Sequence, residues 1–131
     1  MKRFLAILLL VSMIPALCGC AKTNVSQSAN VTLIYQFGGK NITVSLEPEE
    51  AEKVVGILDG NSYDPVWSGI PSCGFSSDIA LNVNGRVYAV ARDTCNKMQD
   101  MGNLRYFSVS EDEIDYIHDL FKKYGGKFPC I

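Results

Sequence analysis

Residues 76–93 read SSDIALNVNGRVYAVARD, with Asn84-Gly85 at the centre and alternating apolar residues on either side. Asn-Gly is the pair that a type I′ hairpin turn prefers, because both central residues of that turn need a positive φ. The stretch therefore predicts two antiparallel strands in which Val83 pairs with Arg86. In this register one face is apolar and the other carries small residues; the apolar face consists of Ile79, Leu81, Tyr88 and Val90.

A second hairpin is predicted upstream, where residues 31–37 and residues 40–46 flank Gly38-Gly39. Two glycines make a two-residue turn sterically easy, and such a turn pairs Phe37 with Lys40. Apolar and polar residues alternate in both arms with one exception, so one face is expected to pack and the other to meet water. The residues on the packing face are Val31, Leu33, Tyr35, Phe37, Ile42, Val44 and Leu46.

Two helices are predicted from the signals at their ends. Pro48 suits the first position of a helix, the acidic residues beside it suit the positive end, and Gly60 suits the stop. Ser110-Glu-Asp-Glu113 has the pattern of a capping box, and Gly125-Gly126 supplies a left-handed stop. Each helix has one apolar stripe, formed by Ala51, Val54, Val55 and Leu58 in the first and by Ile114, Ile117, Leu120, Phe121 and Tyr124 in the second.

The remaining segments are predicted to be two loops and one further strand. Residues 61–74 are rich in Pro and Gly, and residues 96–103 have no clear period, so both are predicted to be loops. Residues 104–109 are predicted to form a fifth strand. The order ββαβββα favours an α+β domain, an antiparallel sheet of about five strands with two helices packed on it.

The N-terminal residues 1–19 are typical of an export signal, because Lys2 and Arg3 precede an apolar run too short to span a bilayer. The run ends in Leu17-Cys18-Gly19-Cys20, which resembles the lipobox of bacterial lipoproteins. The resemblance covers about one sixth of the chain. It implies removal of the signal peptide, acylation of Cys20, and an extracytoplasmic position on the cell membrane or the outer membrane. The alternative is ordinary cleavage that leaves Cys20 unmodified, but no Ala-x-Ala pattern supports it.

The rest of the chain divides into a short tether and one domain. Residues 20–30 comprise the lipidated cysteine and a polar segment, which as a flexible coil would reach roughly 17 Å. Residues 31–131 are long enough for a single α+β domain. Without Lys2 and Arg3, ten of the twelve basic residues remain against fourteen acidic ones, so nucleic acid is not an expected partner.

The exported part keeps Cys73, Cys95 and Cys130, in a compartment where disulfides are permitted. In the hairpin register Cys73 and Cys95 lie nearly opposite each other, which favours a disulfide between them and leaves Cys130 free. The other pairings would join Cys130 to one of the two. A further alternative is a thiol redox or metal site that uses Cys130 with His118, although no ligand spacing supports a metal. No cofactor is expected.

Two other groups of residues are candidates for chemistry or binding. Asp78 and Asp93 are predicted to project from one face of the second hairpin, within reach of each other, but no catalytic partner is nearby. Trp67, Tyr63 and Ile70 lie in the predicted Pro/Gly loop, where a large aromatic residue is typical of a binding surface. The need of a small domain for core favours the other interpretation, in which Trp67 folds down as a lid on the apolar face of the sheet.

No coherent catalytic set is present in the sequence. We therefore expect a membrane-anchored envelope lipoprotein whose domain is a non-enzymatic binding module. Its expected partners are the membrane, through Cys20, and an envelope protein or another envelope component.

Overall fold

The computed structural model of the chain describes residues 21–126. The strands in this range form one antiparallel sheet of six, so the predicted α+β class is confirmed and the predicted count of about five strands is too low. The export signal, Cys20 and Cys130 lie outside the described residues. The elements are β1 (Val31–Phe37), β2 (Lys40–Ser45), α1 (Pro48–Leu58), a 3-10 turn (Val66–Ser68), β3 (Ile79–Val83), β4 (Arg86–Val90), β5 (Lys97–Asp100), β6 (Arg105–Ser108) and α2 (Glu111–Lys123).

Both predicted hairpins form in the predicted register. Val83 pairs with Arg86 around Asn84-Gly85, whose φ angles of 51° and 89° are those that the turn demands. Phe37 pairs with Lys40 in the first hairpin. β1 also pairs with β3, so the hairpins join through their first strands and the sheet has the order β2-β1-β3-β4-β5-β6.

The additional strand, β5, lies where the sequence predicts a loop at residues 96–103. It is short and pairs with both β4 and β6. Met98 and Asp100 are fully buried, whereas Lys97 and Gln99, which alternate with them, are only partly so. Because a carboxylate occupies one of the two buried positions, the strand lacks the apolar alternation by which strands are predicted.

Both helices pack on the same face of the sheet and begin with capping boxes. In α1 the box joins Glu47 and Glu50, and in α2 it joins Ser110 and Glu113, as the sequence predicts. No helix between residues 21 and 126 is both long enough and apolar enough to cross a bilayer. The core between the layers includes Leu33, Leu81, Val90 and Phe107 from the sheet, Val54, Val55 and Leu58 from α1, and Ile117, Leu120 and Phe121 from α2.

The segment predicted to be a flexible tether packs on the domain over its first residues. Thr23 and Val25 are buried, with 3% and 7% of their surfaces exposed. The backbone N–H of Thr23 donates to the Asn61 carbonyl over 2.9 Å, and that of Val25 donates to the Asp59 carboxylate over 3.0 Å. The expectation of a free coil is therefore wrong for this stretch, because an apolar side chain and backbone hydrogen bonds fix it to the end of α1.

Candidate binding surface

The loop between α1 and β3 is fixed along the outer edge of β6 where it begins. Tyr63 forms a β-bridge with Phe107, and the backbone N–H of Asp64 donates to the Tyr106 carbonyl over 2.7 Å. In the 3-10 turn that follows, Ser68 donates to the Pro65 carbonyl twice, from its backbone N–H over 2.9 Å and from its hydroxyl over 2.7 Å. These hydrogen bonds give the loop a defined conformation.

The defined conformation holds apolar side chains out in water. Val66, Trp67 and Ile70 are 82%, 88% and 83% exposed, and Leu104, from the turn between β5 and β6, is 64% exposed. Val66, Ile70 and Leu104 line the same cavity of about 230 Å³, so the loop and the turn form one surface. We call these four residues the apolar loop surface. The alternative that Trp67 covers the core is wrong, because the core is closed without it.

Leu104 has a backbone conformation that a leucine adopts at a cost. Its φ is +57°, and among the residues from 21 to 126 only Asn84 is another non-glycine residue with a positive φ. An L-residue in this region loses roughly 1–2 kcal/mol to steric crowding of its Cβ. Stability alone would favour Gly or Asn at this turn, so the exposed leucine has no explanation in the folding of the turn itself.

Tyr63, a predicted binding residue, is held by a buried carboxylate. Its hydroxyl donates to a carboxylate oxygen of Asp100 over 2.5 Å, and the guanidinium of Arg86 also binds that carboxylate. Burial by itself raises the pKa of Asp100, but hydrogen bonds from Arg86, Tyr63 and the backbone of Gly102 outweigh it and lower the pKa. Arg105 stacks over the Tyr63 ring, 4.7 Å from its centroid. Tyr63 is therefore a structural residue.

A second ion pair holds Asp64, which precedes the 3-10 turn of the loop. Lys97 in β5 lies 2.5 Å from the carboxylate of Asp64 and donates to the Ser108 hydroxyl over 3.0 Å. The guanidinium of Arg105 donates to the Asp64 carbonyl over 3.1 Å. Asp64 is thus held through its side chain and its backbone, and the apolar residues that follow it start from a fixed point.

The two cysteines predicted to pair do so. Cys73 and Cys95 form a disulfide with their Cα atoms 6.1 Å apart, which joins the end of the loop to the segment after β4. A carboxylate oxygen of Asp93 lies within 4.8 Å of both sulfurs. Sulfur atoms joined in a disulfide are not thiolates, so this group offers a metal ion only one ligand side chain.

The carboxylates predicted to lie within reach of each other serve local turns. Asp78 accepts a hydrogen bond from the Ser76 hydroxyl over 3.2 Å, and Asp93 accepts one from the Cys95 backbone over 2.9 Å. Asp93 belongs to the cysteine group and Asp78 does not. In neither contact do the carboxylates of Asp78 and Asp93 share a proton with each other.

His118 is buried, with 5% of its surface exposed. Burial and the nearby Lys122 lower its pKa. Cys130, its predicted partner in a thiol site, lies outside the described residues.

The sequence indicated Trp67 and Ile70 but missed Leu104. The signal that could have found it is an apolar residue directly after Gly102-Asn103, where turn chemistry favours polar residues. Comparisons of the chain with family models, with curated proteins and with solved structures find no match.

Proposed function

We propose that this protein is an envelope lipoprotein, anchored through acylated Cys20, whose domain is a non-enzymatic binding module. The binding site is the apolar loop surface. The observation that carries the proposal is that Val66, Trp67, Ile70 and Leu104 stand exposed together on a loop held by backbone hydrogen bonds and ion pairs.

The arrangement suits binding for two physical reasons. Moving a large apolar side chain such as that of Val66, Ile70 or Leu104 from water into an apolar environment stabilises a complex by about 1.5–3 kcal/mol. The fixed loop also reduces the conformational entropy that binding removes. Trp67 adds a large contact area with an N–H group that can find a polar partner at the rim.

Photo-cross-linking in intact cells tests the binding surface. Benzoylphenylalanine is incorporated in place of Trp67, and the matched control carries it in place of Thr43, an exposed residue of the outer strand β2. Position 67 is expected to give adducts with an envelope component, and position 43 is not. Equal labelling at the two positions would contradict the proposed binding surface.

The anchor is tested separately. The purified protein should carry acyl chains on Cys20, and the Cys20→Ser variant should carry none. Mass analysis that finds Cys20 unmodified would contradict the lipoprotein assignment.

A further inference from the structure

We infer that the apolar loop surface lies against the lipid bilayer, so that the domain contacts the membrane at two places, through its acyl chains and through Trp67 and its neighbours. The inference rests on the proposed acylation of Cys20. It names the ligand of the binding module as the interfacial region of a bilayer.

The first argument is the direction in which the chain leaves the domain toward Cys20. The backbone N–H of Tyr63 donates to the Ala21 carbonyl over 3.3 Å, and Lys22 forms an antiparallel bridge with Ser62. In an antiparallel pair one strand runs back as the other runs forward. From Lys22 to Ala21 the chain therefore runs in the same direction as from Ser62 to Tyr63, toward the loop.

The second argument is distance. Consecutive Cα atoms are about 3.8 Å apart, and the residues from Tyr63 to Val66 span at most roughly 11 Å. Adding the separation of two paired strands, about 5 Å, places Ala21 within roughly 16 Å of Val66. Cys20 is one Cα step of about 3.8 Å further along the chain. Because Thr23 and Val25 are packed on the domain, these residues cannot extend away from it as a free tether would.

The third argument is the chemistry of the surface. Tryptophan is enriched where a bilayer meets water, because its ring is apolar and its N–H is polar. Val66, Ile70 and Leu104 supply aliphatic side chains around it. Lys22, exposed beside Ser62, and Arg105, which binds the loop backbone, supply positive charge that can attract lipid phosphates. A protein partner could also use the apolar residues, but the position of the anchor favours the bilayer that is already within reach.

Fluorescence of the acylated full-length protein in vesicles provides the test, because Trp67 is the single tryptophan of the chain. The vesicles contain phosphatidylethanolamine and phosphatidylglycerol, with part of the lipid replaced by phosphatidylcholine brominated on its acyl chains. Bromine quenches an indole only at close range. We expect the brominated lipid to quench Trp67 strongly. We also expect the emission maximum of Trp67 to lie at a shorter wavelength than that of a tryptophan peptide in buffer without lipid or detergent.

A matched variant moves the tryptophan to the far edge of the sheet. Trp67→Phe combined with Thr43→Trp keeps the anchor and one tryptophan, and its emission is expected to be unaffected by brominated lipid. A second variant, Val66→Ser with Ile70→Ser, retains Trp67 and is expected to lose at least half of the quenching. Circular dichroism of both variants checks that the fold is retained.

Equal quenching at positions 67 and 43, or none at position 67, would overturn the inference. If position 67 then forms photo-adducts with a protein or a glycan, the binding module stands and only the lipid ligand is wrong. If position 67 labels no more than position 43, the proposed function fails as well. Adducts with lipid at position 67 together with quenching support both.

Discussion

Asp100 shows how a single residue can be misread from sequence. It is fully buried on the core side of β5. A buried carboxylate is costly unless it is paired and hydrogen-bonded. Arg86, Tyr63 and the backbone N–H of Gly102 provide those partners, and they tie the turn after β5 to the turn before β4.

Replacing Arg86 tests this network. Arg86→Ala leaves the Asp100 carboxylate buried without its cation, and we expect the free energy of unfolding at neutral pH to fall by about 2–3 kcal/mol. Urea denaturation measures it. Arg92→Ala, at an exposed arginine, is the matched control and should change stability by less than about 0.5 kcal/mol. Equal losses in the two variants would mean that Tyr63 and Gly102 suffice.

Replacing Leu104 should change the free energy of unfolding in the opposite direction. Leu104→Asn replaces a strained leucine by a residue that tolerates positive φ, so we expect the free energy of unfolding to rise by about 0.5–1 kcal/mol. The same variant should reduce quenching of Trp67 by brominated lipid, because the surface loses an apolar side chain. Thermal denaturation and the vesicle measurement check the two effects; a less stable variant would show that Leu104 contributes to packing.

At the scale of elements, the sequence predicted what local turn and cap chemistry determines. Asn84-Gly85, Gly38-Gly39 and the Ser110 capping box each occur at the predicted residues. β5 could not be predicted, because its pairing depends on a partner for Asp100 that is distant in sequence. The packing of Thr23 and Val25 also depends on residues distant in sequence, Asn61 and Asp59. Such tertiary contacts leave no local periodicity from which the packing could be predicted.

The candidate binding surface, like the elements, could be predicted from the sequence only in part. A tryptophan in a Pro/Gly loop indicated a surface, but whether Trp67 faced the core or water depended on how much core the sheet and helices already closed. Tyr63 was predicted to bind, yet the buried carboxylate of Asp100 draws it inward. Such distinctions require the positions of residues far apart in the chain.

The disulfide is the covalent link between elements. Cys73 and Cys95 are 22 residues apart. Closing a loop of this size stabilises a fold by about 3 kcal/mol in the chain-entropy description. We expect Cys73→Ser with Cys95→Ser to lower the free energy of unfolding by about that amount in urea denaturation.

Thiol titration of the acylated wild type provides the control. One thiol, from Cys130, should react after denaturation, and its reactivity in the native protein measures the redox alternative with His118. Three reactive thiols in the denatured protein would contradict the disulfide. A native thiol with a markedly low pKa would favour the redox function.

At the scale of the whole molecule, two buried groups, His118 and Asp100, contribute to the dependence of stability on pH. Burial, followed by Lys122, lowers the pKa of His118 from 6.5, against the opposing effect of Asp93, Asp115 and Asp119. The unfolded chain thus takes up this proton at a higher pH than the folded protein does. Stability should be fully present above 6.5 and should fall as the pH drops toward the lowered pKa.

Denaturation at a series of pH values checks this dependence. His118→Gln should flatten the decline between neutral and mildly acidic pH, whatever its effect on absolute stability. Asp100 contributes only in more acidic solution, because its pKa is lowered from 3.8. An unchanged slope in His118→Gln would show that another group titrates.

The packed N-terminal segment also has a mechanical consequence. In an acylated chain, any pull on the acyl chains acts first on the hydrogen bonds between residues 21–25 and residues 59–63. These bonds join the N-terminal segment to the residues that follow α1, so the load enters the folded domain directly. Drag on the lipids would therefore be transmitted to the domain through this short pairing. The pairing would also be the first contact to break under load.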